Sequence, residues 1–111
     1  MKVIMKEERQ VSEGDRKYLL TYELMVDKFP KEEGSGSCYD IQIAQYDWLS
    51  GDGVFKKSDG CRVTGFSESY GEAKYFFGKL VEGTAMPVSL FAVVDDWKSA
   101  FAGHPFGGGL I

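Results

Sequence analysis

The feature that most constrains the fold is a change of hydrophobic periodicity, from alternation in the first two-thirds of the chain to helical spacing after residue 66. The clearest alternating segment carries apolar side chains at every second position, which is typical of a strand with one buried face. Leu19 and Met25 are the apolar exceptions on its other face. The segment is therefore predicted to be a half-buried β-strand. Its alternating residues are Tyr18, Leu20, Tyr22, Leu24 and Val26.

Turn residues separate this strand from its neighbours. Gly14-Asp15 predicts a tight hairpin between a first strand over Val3–Ser12 and the second over Arg16–Val26, because glycine supplies the positive φ that such a turn needs. Phe29–Gly36 combines a proline, charges and glycines, all of which disfavour a continuing ladder. This segment is predicted to be a flexible loop.

The next strands are predicted from alternation and from a second hairpin signal. A third strand runs from about Cys38 to Trp48. Asp59-Gly60 predicts a two-residue hairpin that pairs Val54–Lys57 with Cys61–Phe66. The sequence thus predicts an antiparallel meander of four or five strands.

Two amphipathic helices are predicted after the strands. Ser69 followed by Glu72 has the spacing of a capping box at a helix start, and Gly83 is placed to end that helix as its C′ residue. Pro87 stands at a natural first position of the second helix. The apolar stripes are Ala73, Phe76, Phe77, Leu80 and Val81 in the first helix, and Leu90, Val93, Val94, Trp97 and Phe101 in the second.

Strands followed by helices indicate an α+β fold in which two amphipathic helices pack on one face of the meander. With 43% hydrophobic residues, the chain has enough apolar material to bury a core, and no repeat or linker divides it. We expect one domain over residues 1–102 and a Gly-rich C-terminal tail over residues 103–111.

Charge and targeting signals restrict the location and the partners. The net charge of -4 repels phosphate backbones and disfavours nucleic acid as a partner. Charge interrupts the N-terminus after three apolar residues, and no apolar run is long enough for a secretory signal or a membrane span. We expect a cytoplasmic protein. Cys38 and Cys61 are then expected to be reduced, partly buried thiols.

The polar candidates do not form a recognisable catalytic set. Asp95 and Asp96 are adjacent on a helix, so their side chains diverge by about 100° and do not converge on one cation or proton. His104, the one histidine, lies in the tail. We therefore predict no catalytic residue, metal or cofactor. The alternative is a small-ligand or enzymatic site between sheet and helices that uses Asp95 or Asp96 with His104 or Cys61.

The aromatic residues indicate a binding surface. Tyr46 and Trp48 have the opposite parity to Ile41 and Ile43 on the third strand, so they lie on the open face if the helices cover the Ile41 face. An exposed aromatic face is typical of a protein–protein or self-association surface. The leading hypothesis is a non-catalytic interaction module or homodimer, with Asp95 and Asp96 as further binding candidates. A core of this size cannot easily bury all of the remaining aromatic residues, which are Tyr39, Tyr46, Trp48, Phe55, Phe66, Tyr70 and Tyr75.

The Gly-rich tail has an alternative role. Phe106, Leu110 and Ile111 could make it an adhesive segment that docks onto this chain or a neighbour.

The segment Arg62–Trp97 resembles a family of small bacterial proteins of unknown function. The resemblance rests on a proline at the helix start, a leucine three residues later, and a valine-hydrophobic-acidic-Asp-aromatic run. It implies a cytoplasmic bacterial protein and carries no activity, cofactor or catalytic residue. The matching residues are Pro87, Leu90, Val93, Val94, Asp95, Asp96 and Trp97.

Overall fold

The structure, a computed structural model, describes residues 1–31, 34–49, 51 and 53–100. Within these ranges, four antiparallel strands in the order β1-β2-β3-β4 are followed by two helices. A short 3₁₀ turn, Pro87–Ser89, leads into the second helix. The predicted α+β meander with two helices is confirmed, whereas the boundary expected at residue 102 lies outside the described residues. The elements are β1 (Lys2–Glu13), β2 (Arg16–Lys31), β3 (Gly34–Leu49), β4 (Val54–Ser67), α1 (Tyr70–Glu82) and α2 (Leu90–Ala100).

The core lies between one face of the sheet and the helices. The buried face of β2 has the predicted parity, and it packs with Ile41 and Ile43 of β3 and with the apolar stripe of α1. Phe66 at the end of β4 stacks on Phe76 of α1, with ring centroids 4.6 Å apart. Tyr22 lies within this core, and its hydroxyl donates a hydrogen bond of 2.9 Å to the carbonyl of Ala85. Burial raises the pKa of Tyr22 to about 12, because it disfavours the phenolate.

The hairpin that joins β2 to β3 is longer than expected. The prediction of a flexible loop over Phe29–Gly36 is wrong, since the backbone pairing of β2 with β3 continues out to Lys31 opposite Gly34. β1 pairs with β2 only as far as Val26, so the far end of β2 is an edge on that side. A proline such as Pro30 is tolerated in an edge segment, because its missing N–H removes no bond from the interior of the sheet.

The prediction of a hairpin at Asp59-Gly60 is also wrong. β4 continues through this pair, which lies opposite Gln45 and Ala44 of β3, and the register shifts next to it. The carboxylate of Asp59 accepts a hydrogen bond of 2.8 Å from the N–H of Gly60. Asp59 and Gly60 both pair with β3, and the residue left without a partner at the register shift is Ser58. The chain therefore bulges at Ser58 and continues as one strand. The predicted strands Val54–Lys57 and Cys61–Phe66 are therefore one strand.

The start of α1 follows half of the capping-box prediction. Ser69 is the N-cap, and its hydroxyl accepts the N–H of Glu72 at 3.2 Å. The N–H of Ser69 instead donates to Ser67 at 2.9 Å. The carboxylate of Glu72 is therefore not required as the reciprocal cap and makes other contacts, described below.

The end of α1 is shifted by one residue from the prediction. Gly83 is the C-cap with φ -84°, whereas Thr84 takes the left-handed conformation with φ 53°. The N–H of Thr84 donates to Val81 at 3.1 Å and the N–H of Ala85 donates to Leu80 at 3.0 Å. These two bonds form a Schellman motif whose C′ residue is Thr84, so the prediction of Gly83 at C′ is wrong.

Replacing Thr84 by glycine is expected to raise the free energy of unfolding by about 1 kcal/mol, because a β-branched residue is strained at positive φ and glycine is not. Urea unfolding followed by circular dichroism measures the change. Thr64→Gly serves as the matched control, since Thr64 lies in β4, where glycine is expected to destabilise. A loss of stability in Thr84→Gly would contradict the left-handed conformation.

Candidate interaction surfaces

The face of the sheet opposite the helices carries a cluster of apolar side chains at one end. Tyr46 lies opposite Leu19 of β2, and Trp48 lies opposite Phe55 of β4. The rings of Trp48 and Phe55 contact edge to face, with centroids 5.1 Å apart. The ammonium group of Lys17 lies 5.2 Å from the centre of the Trp48 ring. We call Leu19, Tyr46, Trp48 and Phe55 the aromatic patch.

The parity argument therefore placed Tyr46 and Trp48 on the correct face. Trp48 is 37% exposed, which is high for a tryptophan, since tryptophan side chains are largely buried on average. The patch adjoins a shallow depression with Ala44 in its lining and with charged residues of both signs, Lys6 and Glu8 among them. An apolar centre next to polar and charged groups is the usual anatomy of a protein–protein interface.

The other end of this sheet face carries an ion pair between a buried aspartate and a half-buried arginine. Asp40 is 4% exposed, and its carboxylate accepts bonds of 2.9 Å from Arg62 and 2.8 Å from the N–H of Gly65. Gly65 has φ +64° and stands in a stretch of β4 where the register with β3 shifts. Asp40 thus satisfies a backbone amide that the irregular pairing leaves available. Met25 beside it is also buried, whereas Val3, opposite Met25 on the edge strand β1, is 45% exposed.

A second apolar surface lies between the two helices. The groove, which we call the helix groove, has a volume of about 550 Å³ and is lined mainly by apolar side chains. Trp97 forms one side, with its ring centroid 5.2 Å from that of Phe76 and 5.8 Å from that of Tyr75. Lys79 and Asp96 contribute its charged groups.

Glu72 connects three elements beside the helix groove. Its carboxylate accepts bonds of 2.6 Å from the Ser67 hydroxyl at the end of β4 and 2.8 Å from the indole N–H of Trp97 in α2. Burial alone would raise the pKa of Glu72, but these two hydrogen bonds and the charge of Lys98 outweigh burial, so the pKa lies below its usual value. Glu72 therefore holds Trp97 in place through an ionised carboxylate.

Of the alternative polar site, the described residues Asp96 and Cys61 line different depressions and are not brought together. Asp95 and Asp96 are both exposed on α2, and Asp96 lines the helix groove. Cys61 lines a different depression, beside Gln42, and burial, followed by the charge of Asp59, raises the pKa of its thiol. His104 lies outside the described residues. The described ranges contain no group of three His, Cys, Asp or Glu side chains that could hold a metal ion.

Two other sequence expectations are resolved by the packing. Phe66 was counted among the excess aromatics, but it is buried against Phe76, so that expectation is wrong for this residue. Tyr70 and Tyr75 on α1 are about half exposed, as expected. Cys38, like Cys61, is a free thiol within the described part of the chain.

Sequence reasoning missed the helix groove and the Asp40–Arg62 pair. The groove depends on the angle at which α1 approaches α2, and no periodicity encodes that angle. The one available signal was Tyr75, an aromatic residue next to the apolar stripe of α1. Asp40 lies between Tyr39 and Ile41 with nothing in the sequence to distinguish it from a solvated strand residue.

Neither helix described between residues 70 and 100 is long and apolar enough to cross a membrane.

Comparison with known proteins gives one match. No curated protein and no solved structure shows a significant match to the chain. A family model described as "Family of unknown function (DUF6514)" matches residues 1–100, which covers all the strands as well as the helical segment that carried the resemblance. The chain belongs to this family.

Proposed function

We propose that this chain is a non-catalytic interaction module, and that two copies associate through their aromatic patches. The observation that carries the proposal is the contact between exposed Trp48 and half-buried Phe55 on the sheet face that no helix of the described chain covers. A second sheet stacked on this face would bury the patch at the usual spacing of about 10 Å between sheets. We place the chain in the cytoplasm, a reducing compartment in which Cys38 and Cys61 would stay free thiols.

The charges around the patch favour a second copy as the partner. The neighbouring depression holds basic and acidic side chains together, since Lys6 lies opposite Glu23 in the β1–β2 register. A surface of mixed sign complements itself about a two-fold axis, because each basic group finds an acidic one on the other copy. A strongly basic or acidic partner would gain nothing from this pattern.

The edges of the sheet are less suited to association than its face. Within the described residues, β1 and β4 each pair with a neighbouring strand on one side only. Half of the residues in β1 are charged, and β4 has two register shifts. Charges and bulges along an edge both oppose the addition of a strand from another chain. The aromatic patch is therefore the surface we expect two copies to share.

Trp48→Ala is expected to raise the dissociation constant of the dimer at least tenfold, equivalent to about 1.4 kcal/mol, because aromatic residues at the centre of an interface dominate its affinity. Sedimentation equilibrium over a range of protein concentrations measures this constant. Val88→Ala is the matched control, since Val88 is 81% exposed on the helix side of the molecule and should leave the constant unchanged. Thermal unfolding of each variant checks that it is folded.

Two outcomes would overturn the proposal. One is a wild-type chain that is monomeric throughout the concentration range. The other is a dimer whose dissociation constant responds equally to Trp48→Ala and Val88→Ala, which would place the interface elsewhere. Stable binding of a different protein to a monomeric chain would also reject self-association.

A further inference from the structure

We propose that the helix groove binds the chain's own C-terminal segment, residues 101–111. This inference is independent of the proposed function, because the helix groove and the aromatic patch lie on opposite layers of the fold. It concerns one occupant, the segment that follows directly from α2.

The first argument is position. Ala100, the last residue of α2, is itself part of the groove lining, so the described part of the chain ends at the groove. A segment of eleven residues reaches up to about 36 Å when extended. The helix α1, with thirteen residues, is about 20 Å long. The segment is therefore long enough to follow the groove along the whole of α1.

The second argument is chemical. The lining of the groove includes Leu80, Val93 and the ring of Trp97. Apolar groups that dock on such a lining are removed from water, which lowers the free energy. Residues 101–111 contain no Asp, Glu, Lys or Arg, and they carry apolar side chains at three separated points. Those points are Phe101, Phe106 and the pair Leu110-Ile111.

The third argument is tethering. A segment attached at the mouth of its binding site has an effective concentration in the millimolar range, so even weak contacts suffice to fill the site. An unattached apolar partner would have to compete with this local concentration. The chain's own segment is therefore favoured over a free one.

Paramagnetic relaxation tests the proposal on the full chain. A nitroxide is attached at Leu110→Cys in a background that carries Cys38→Ser and Cys61→Ser, and the methyl signals of Leu80 and Val93 are recorded. We expect both residues to lose at least half of their signal intensity, independently of protein concentration. Unbroadened methyl signals in the folded protein would overturn the proposal.

A matched pair of variants separates occupation of the groove from chance proximity. Ser89 lines the groove, so Ser89→Arg should obstruct it and restore the methyl intensities. Val88→Arg adds the same charge to the same 3₁₀ turn at an exposed position and should leave the broadening intact. Equal broadening in both variants would overturn the proposal.

A mixed sample identifies the source of the segment. Isotope-labelled protein without nitroxide is combined with unlabelled protein that carries it. Broadening confined to molecules that carry their own nitroxide supports the proposal. Broadening between molecules would mean that the groove receives the segment of a second copy, which rejects the intramolecular form.

Discussion

Replacing Asp40 by alanine is expected to lower the free energy of unfolding by about 3 kcal/mol, the largest single effect that we predict. The carboxylate is 4% exposed and bonded to Arg62 and to the N–H of Gly65. Without it, the guanidinium group of a half-buried arginine and a backbone amide both lose their partner. We place the loss at the lower end of the range for broken buried pairs, because Arg62 is 35% exposed and water can reach it.

Urea unfolding at neutral pH measures this loss, and two further variants divide it. Asp40→Asn keeps an oxygen that can accept the N–H of Gly65 but removes the charge opposite Arg62, so an intermediate loss is expected. Asp95→Ala removes an exposed carboxylate from α2 and should change stability by less than about 0.5 kcal/mol. Equal effects of Asp40→Ala and Asp95→Ala would show that the ion pair contributes nothing to the fold.

The parts of the fold that the sequence predicts are those that depend on local periodicity. Alternation around Tyr22 identifies the buried face of β2, and the spacing of Phe76 and Leu80 identifies the buried face of α1. Both patterns are properties of one element and need no knowledge of its neighbour. The open face of the sheet follows by parity, which is why Tyr46 and Trp48 could be placed before the structure was known.

The parts that failed depend on a neighbouring strand or on a single backbone angle. Asp59-Gly60 is a strong turn signal, but both residues pair with β3, and β4 continues past them with a bulge at Ser58. Pro30 suggests a loop, but it lies in the part of β2 that does not pair with β1. Thr84 takes a conformation that glycine prefers, so the glycine one residue earlier attracted the prediction. In the first two cases pairing between strands overrode a local preference, and in the third a single backbone angle shifted the helix end by one residue.

The same distinction applies to the candidate surfaces. The aromatic patch lies on adjacent strands and follows from the register of an antiparallel sheet. The helix groove requires the approach of α2 to α1, which is fixed in part by a hydrogen bond between Trp97 and Glu72. In the sequence, Trp97 is one residue of an apolar stripe and Glu72 is one residue of a capping box. The contact between them was therefore not predictable. Glu72 is accordingly the residue whose observed role differs most from the predicted one, since it was expected to cap α1 and instead connects β4, α1 and α2.

Glu72→Ala is expected to lower the free energy of unfolding by about 2 kcal/mol near neutral pH, because the hydroxyl of Ser67 and the indole N–H of Trp97 both lose a charged acceptor. The pKa of Glu72 is lowered in the folded protein. The stabilisation is therefore fully present above the unfolded pKa, close to the ordinary glutamate value of 4.5, and is lost as the pH falls through the folded pKa. The difference between wild type and variant should accordingly be large near neutral pH and small in acid.

Urea unfolding of both proteins at about pH 7 and about pH 3 measures that difference at each end of the range. Glu82→Ala removes an exposed carboxylate from the end of the same helix and is expected to change stability by less than about 0.5 kcal/mol. A Glu72→Ala loss that is the same at both pH values would mean that packing, not the ionised carboxylate, holds Trp97. A loss that grows in acid would contradict the direction of the pKa shift. If the loss shrinks in acid, Glu72 joins β4, α1 and α2 through its charge, and protonation of this single side chain loosens the wall of the helix groove.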